Sequence, residues 1–377
     1  MSYQLFCCGD ATDIATASST PYFLLQAGLK NNLVHSTLVF KPERLRWQRR
    51  LWNLQQWIRT RRAGGFQYSD WFLKSLWKQA RLASLPASEP RCLLSYYPFL
   101  PPAPWPASWR VGFYIDATTH QVFEDYGSGV RLDPKFKRQV LMREQLAYQA
   151  AKAVVTMSEW AAESVRHDYG ISSARVHVVP AGANLDEQAL LKLPPLKVPP
   201  PPSPENPLRL GFIGKEWYRK GGPFLLKLAE SLEECGVPTI VRVIGPPMSQ
   251  LPSHRQLHPL GFIDKRTEMT LFAKEVQSWH FGTLFSTVEA FGISNRECLR
   301  LGVPVLATAV GGIPSTISDQ GCGQLFEIGT SPHSVAHWIM KRLNPFQAYE
   351  QWRHVLLART DEFSWDTAVA KLSQILN

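Results

Sequence analysis

Two glutamates separated by seven residues, Glu289 and Glu297, stand in the most chemically suggestive stretch of the chain, GTLFSTVEAFGISNRECLRLGVPVLATAVGGIP (282–314). An apolar run ends near Thr287 and the loop VEAFG follows; the pattern predicts a helix opened by Gly292 and stopped by Gly302 after Leu301. A helix N-terminus behind a glycine offers free backbone N–H groups, here those of Phe291, Gly292 and Ile293, and its dipole favours a phosphate. Glu297, two turns further on, is placed to accept hydrogen bonds from a vicinal diol, as acidic residues do with ribose hydroxyls. A glycosidase acid and base would instead stand roughly 5 to 9.5 Å apart. Eight residues of continuous helix span about 12 Å. Glu289 precedes the helix, and the mismatch disfavours a hydrolase of that kind.

A second segment, GFIGKEWYRKGG (211–222), leaves an apolar run, turns at Gly214, and presents Lys215, Arg219 and Lys220 before a glycine pair and an expected helix. Cations at the carboxyl ends of parallel strands sit where open sheets bind anions, and a diphosphate is the natural candidate.

Such loops need strands that end beside them. Short β-branched or aromatic runs occur at 3–8, 34–40, 91–95, 110–115, 152–157 and 175–179, with helix-like stretches at 21–29, 135–151 and 159–169 between them. The pattern restarts at 208–214, 239–245, 282–287 and 304–308, with a helical stretch at 222–235. Strands that are apolar throughout imply helices on both faces of a parallel sheet. The expectation is an α/β chain of two Rossmann-like, doubly wound domains facing across a cleft. The boundaries read as an N-terminal domain over 1–193, a linker over 194–207 where eight of fourteen residues are proline, and a C-terminal domain over 208–360. A last segment, 361–377, carries an amphipathic helix able to dock on either domain, the N-terminal one included.

A chain of 377 residues is comfortable for two cores, and 45% hydrophobic with 19% charged residues excludes disordered, collagen-like and coiled-coil classes. Six cysteines without a C-x-x-C pair argue against a disulfide scaffold or structural zinc and for a reducing cytoplasm. The N-terminus lacks a basic segment followed by an apolar core, so no secretion signal is expected. The uncharged stretches 92–109 and 301–318 are broken by prolines and glycines, and neither is expected to span a bilayer. The net charge of +10 is compatible with nucleic acid, anionic lipid or phosphorylated small molecules. Much of it lies in 41–81, where eleven basic residues meet only Glu43 and Asp70 and are interleaved with Trp47, Trp52, Trp57, Trp71 and Trp77. Either the tryptophans pack in the core, or this stretch meets an anionic membrane surface. Nucleic acid is not expected, since no recognised module accompanies the charge.

Taken together, EAFGISNRE (289–297), GVPVLATAVGGIP (302–314), WYRKGG (217–222) and AKAVVTMSEWAAESVRHDYGISSARVHVVPAGAN (151–184) resemble the retaining glycosyltransferases of the GT-B fold, in the large group called family 4 with its E-x7-E element. The resemblance covers about 110 to 330 in the right order. It implies transfer of a sugar from a nucleotide-diphosphate sugar to a glycan or lipid-linked acceptor. On it, Arg219 and Lys220 hold the donor diphosphate and neutralise the leaving group, Glu297 binds the ribose, and Glu289 with the backbone of Phe291, Gly292 and Ile293 positions the sugar. Gly214 and Lys215 belong to the same donor loop, and LGFID (260–264), with Phe262, lies near the base. Retention implies reaction on one face of the sugar, with the departing phosphate helping to deprotonate the acceptor. No metal or other cofactor is expected, and no D-x-D is present.

The chain also departs from the pattern. CGDATDIATASSTP (8–21) replaces a glycine pair after the first strand, Lys215 stands where many relatives have arginine, and the first-domain histidine corresponds to His120, with Asp116 as the alternative. Two rival readings are an isomerase or hydrolase of nucleotide sugars on the same fold, and a non-catalytic nucleotide- or membrane-binding protein. The expected location is cytoplasmic, peripheral on the inner face of the cell membrane.

Overall fold

The six apolar runs of the first half become six parallel strands. β1 (Tyr3–Phe6), β2 (Val34–Leu38), β3 (Arg91–Ser95), β4 (Trp109–Ile115), β5 (Ala153–Thr156) and β6 (Val176–Val178) form one sheet in the order β2-β1-β3-β4-β5-β6. Central strands are apolar on both faces because both are covered: Leu93, Leu94, Val111, Phe113, Val154 and Val155 are all buried. The computed structural model describes residues 2–80, 90–129, 131–194 and 197–377. Arg81 of the basic stretch and Pro195 and Leu196 of the proline run lie outside them.

A second parallel sheet contains β7 (Leu208–Ile213), β8 (Thr239–Ile244), β9 (Leu257–Gly261), β10 (Phe281–Leu284), β11 (Val305–Thr308) and β12 (Gly323–Phe326), ordered β12-β11-β10-β7-β8-β9. β9 and β12 were not anticipated from the sequence. The strand order reverses at β7, beside β10, so the loops after these two strands open at a topological switch point, where doubly wound sheets bind ligands.

The chain divides into one compact unit of 1–180 with 368–377 and another of 181–367. Residues 181–193 therefore group with the second unit. So does the described part of the proline run, where Val198 packs on the second core and the Pro200 carbonyl accepts a hydrogen bond from His280 Nε2 at 3.0 Å. The helix Trp365–Leu376 ends in the first unit, with the Tyr3 hydroxyl donating to the Leu376 carbonyl at 2.5 Å.

Within 41–80 the tryptophans divide. Trp52 packs on Phe66 and Phe136, and Trp77 on Trp109. Trp47 and Trp57 are 71% and 50% exposed on the helix Arg46–Thr60. Among the described residues no helix is long and apolar enough to cross a membrane.

Candidate functional site

The loops after β7 and β10 are tied together by backbone before any side chain is considered: the Thr287 N–H donates to the Arg219 carbonyl at 3.0 Å. Trp217, buried against Phe212, anchors the first loop from below. Arg219 Nη1 then donates to the Val288 carbonyl at 2.7 Å and to Glu289 Oε2 at 3.2 Å. Lys220 Nζ donates to the same Oε2 at 2.7 Å, and Ser286 Oγ lies 3.5 Å from it. Glu216 holds the far side of the Arg219 guanidinium, with Nε to Oε2 at 2.9 Å.

The GG-x-P segment fixes Glu289 from the other direction. The Gly312 N–H donates to the Glu289 carbonyl at 3.0 Å. Gly311 adopts φ +55°, and a Cβ there would stand 2.1 Å from that carbonyl oxygen, so only glycine fits. Gly292, at φ +90°, opens the helix Ile293–Arg300 with no side-chain cap, leaving its first N–H groups for another acceptor. Phe291 is buried beneath this mouth, and Asn295 Nδ2 donates to Thr316 Oγ1 at 2.9 Å, binding the helix to the segment after Gly312.

Glu297 lies deeper and is only 2% exposed. Its carboxylate pairs with the Lys265 ammonium, which sits 4.4 Å from the centre of the Phe272 ring. Burial pushes the Glu297 carboxyl above its ordinary range, and Lys265 pulls it only part of the way back. At the outer edge, Lys215 is exposed with its ammonium 6.0 Å from the centre of the Phe262 ring, and Phe262 is 66% exposed, a free aromatic face. Gly214 ends β7 by donating to the Ile244 carbonyl at 3.0 Å.

His120 belongs to the first unit, on the helix Thr119–Glu124. Its Nδ1 is 3.2 Å from Asp168 Oδ2, and its backbone N–H donates to the Tyr169 hydroxyl at 3.0 Å. Beneath it lies Glu144, fully buried, which accepts from the hydroxyls of Tyr148 at 2.6 Å and Tyr169 at 2.5 Å and from the Thr119 N–H at 3.1 Å. Burial raises the Glu144 carboxyl, and those hydrogen bonds offset part of the rise. Asp116 follows directly on β4.

The second unit thus gathers Lys215, Arg219, Lys220, Glu289, Gly292, Glu297 and Phe262 around the loops after β7, β9 and β10. Sequence reasoning missed Lys265, Ser286 and Glu144. Among the described residues no group of three His, Cys, Asp or Glu side chains is placed to hold a metal ion. Cations over a helix mouth suit an anion, and an exposed ring beside a lysine suits a planar heterocycle.

Residues 58–187 match the family model described as Glycosyltransferase Family 4, and residues 197–354 match that of Glycosyl transferases group 1. Similar curated proteins include D-inositol 3-phosphate glycosyltransferases of Xylanimonas cellulosilytica (26% identical, 64% of this chain and 60% of the relative) and Corynebacterium glutamicum (25%, 71% and 67%). The chain spans about 60 to 67% of the length of these two relatives. Among solved structures, sucrose-phosphate synthase of Thermosynechococcus elongatus aligns with a TM-score of 0.66 at 15% identity, covering 99% of this chain and 98% of that one. HepE of Anabaena in complex with UDP and glucose aligns at 0.62 and 14% identity, covering 100% and 99%. These likenesses establish the GT-B fold.

Proposed function

Because the chain belongs to the glycosyltransferases that these two family models describe, we propose that it moves a sugar, with retention, from a nucleoside diphosphate sugar to a glycan or lipid-linked acceptor. The observation that carries this reading is the joint hold of Arg219 and Lys220 on one oxygen of Glu289, beside the open mouth of the helix Ile293–Arg300. Two cations and a row of backbone N–H groups meet the charge of a diphosphate and stabilise it as it leaves. Glu289 and the N–H groups of Phe291, Gly292 and Ile293 then orient the sugar, Glu297 the ribose, and Phe262 with Lys215 the base. Catalysis is positioning plus charge stabilisation by the chain's own cations, and the transfer is expected to proceed without a metal. His120, its ring held by Asp168, is the first unit's candidate for the sugar.

HepE, crystallised with UDP and UDP-glucose, makes UDP the first nucleotide to try. The inositol phosphate enzymes make a phosphorylated polyol the first soluble acceptor to set beside lipid-linked glycans. All six cysteines are free thiols, in keeping with a cytoplasmic location.

A thermal-shift panel of UDP, GDP and ADP tests the donor site: one of them should raise the unfolding temperature, by up to about 2.7 kcal/mol of apparent stability at a hundredfold excess over Kd. Lys220→Ala should then cut kcat about 100-fold or more, with EDTA leaving the wild-type rate unchanged and NMR showing a retained anomer. Silence from all nucleotides removes the donor site. Consumption of the donor without an acceptor promotes the isomerase or hydrolase.

A further inference from the structure

The helix Arg46–Thr60 is turned inside out. Its less exposed positions are Gln48, Trp52, Asn53, Gln56 and Thr60, of which only Trp52 is apolar, and none of its residues is fully buried. Trp47, Leu51, Leu54 and Ile58 follow one another at helical spacing and are 71, 53, 55 and 62% exposed. At about 100° per residue they share one outward stripe roughly 60° wide. A helix that serves only its own core would present that stripe inward, and a contiguous exposed apolar face of this kind marks an interaction surface.

The stripe is preformed, because polar contacts fasten the helix by its other side. Trp52 Nε1 donates to the Gly64 carbonyl at 2.9 Å, the Gly64 N–H donates to Asn53 Oδ1 at 3.2 Å, and Arg62 Nη1 donates to the Leu132 carbonyl at 2.6 Å. Arg46, Arg50 and Arg59 flank the stripe at about 100° per residue, and residues 41–62 as a whole hold eight lysines and arginines against one acid, Glu43. The Arg50 guanidinium lies 4.8 Å from the Trp47 ring centre and that of Arg61 4.8 Å from Trp57. These aromatic residues and arginines are interleaved rather than segregated.

We propose that this face docks on an anionic lipid bilayer, with Trp47, Leu51, Leu54 and Ile58 entering the boundary between headgroups and acyl chains and the arginines meeting the headgroup phosphates. The charge selects this occupant. A second copy of the chain would set one arginine row against another, whereas an anionic bilayer offers apolar depth and negative charge together. The surface stands independently of the donor site; only its use in reaching a lipid-linked acceptor rests on the transferase reading.

Co-sedimentation of the full chain with vesicles tests it. Binding to vesicles of phosphatidylglycerol and phosphatidylcholine should be strong in about 0.1 M salt and weaken in about 0.5 M, and pure phosphatidylcholine should bind at least tenfold less. The triple variant Trp47→Ser, Leu51→Ser, Ile58→Ser should lose at least tenfold in partitioning. Arg46→Gln, Arg50→Gln, Arg59→Gln should weaken binding at low salt and flatten the salt dependence. Both sets should keep the wild-type circular dichroism spectrum and nucleotide response, since none of these residues touches the donor loops. Absence of vesicle binding, equal binding to neutral vesicles, or an unaffected serine variant overturns the proposal; a dimer abolished by the serine variant, without vesicle binding, assigns the face to a second copy. Vesicle binding with no nucleotide response would defeat the transferase reading alone.

Discussion

Lys265 and Glu297 form the most consequential pair on the donor side, because Lys265 is the cation paired with a carboxylate that is almost fully buried. An acid whose folded pKa exceeds its unfolded value of 4.5 binds more protons when folded. Its contribution to stability therefore falls as pH rises from about 4.5 through the folded value. Lys265→Met should raise that folded value further, costing on the order of 3 kcal/mol at pH 8 and less at pH 5. Urea midpoints at the two pH values check this, and adding Glu297→Gln should remove the difference between them. A loss equal at both would show that Lys265 matters for packing on Phe272 instead. The pair also explains what was legible at this scale. Arg219, Lys220 and Glu289 stand in loops at strand ends, where local pattern places them. Lys265 meets Glu297 only through the tertiary fold, from the loop between β9 and the helix Met269–Gln277, and Glu144 lies in mid-helix within Pro134–Ala150, where nothing local distinguishes it from a solvated carboxylate.

Elements were legible in proportion to their burial. Every central strand was anticipated, since two covered faces demand an unbroken apolar run. The two strands missed, β9 and β12, are the edges of the second sheet. LHPLG (257–261) carries a proline and a histidine that an edge tolerates and a centre would not, and GQLF (323–326) is short and begins with glycine. The helix Arg46–Thr60 escaped for the opposite reason: its apolar period is sound, but its direction cannot be inferred from periodicity alone. Connections between elements matter as much as the elements. Gly311 lets the segment after β11 approach the Glu289 backbone, and Gly311→Ala must push the two apart. We expect a stability loss of about 1–3 kcal/mol and a fall of about 100-fold in kcat/KM, as Glu289 moves away from Arg219 and Lys220. Normal kinetics in a folded Gly311→Ala protein would mean that Glu289 does not position the sugar.

At the scale of the whole chain, two parallel sheets of six strands each have their own core, and the path from one to the other runs through a proline-rich segment that is held rather than free. His280 is the holding group. Its Nδ1 accepts from the Arg209 N–H at 3.0 Å and its Nε2 reaches the Pro200 carbonyl at 3.0 Å, so the neutral ring with hydrogen on Nε2 satisfies both. Burial lowers its pKa from 6.5 to about 3, with Arg209 and Arg353 adding to the effect and the Pro200 carbonyl opposing it. Between those values the unfolded chain binds a proton that the folded chain refuses. Stability from this site is therefore whole above pH 6.5 and is lost as pH falls toward 3. His280→Gln removes the titration while keeping a donor for Pro200. It should be less stable than wild type at pH 7, and the gap should close by at most about 1.4 kcal/mol for each pH unit below the unfolded value. Denaturant melts of both proteins at pH 7, 6, 5 and 4 follow the gap directly. With other acid-sensitive groups common to the two, a gap independent of pH would mean that the ring takes up its proton as readily in the folded chain as in the unfolded one, and that its hold on the proline segment has another origin.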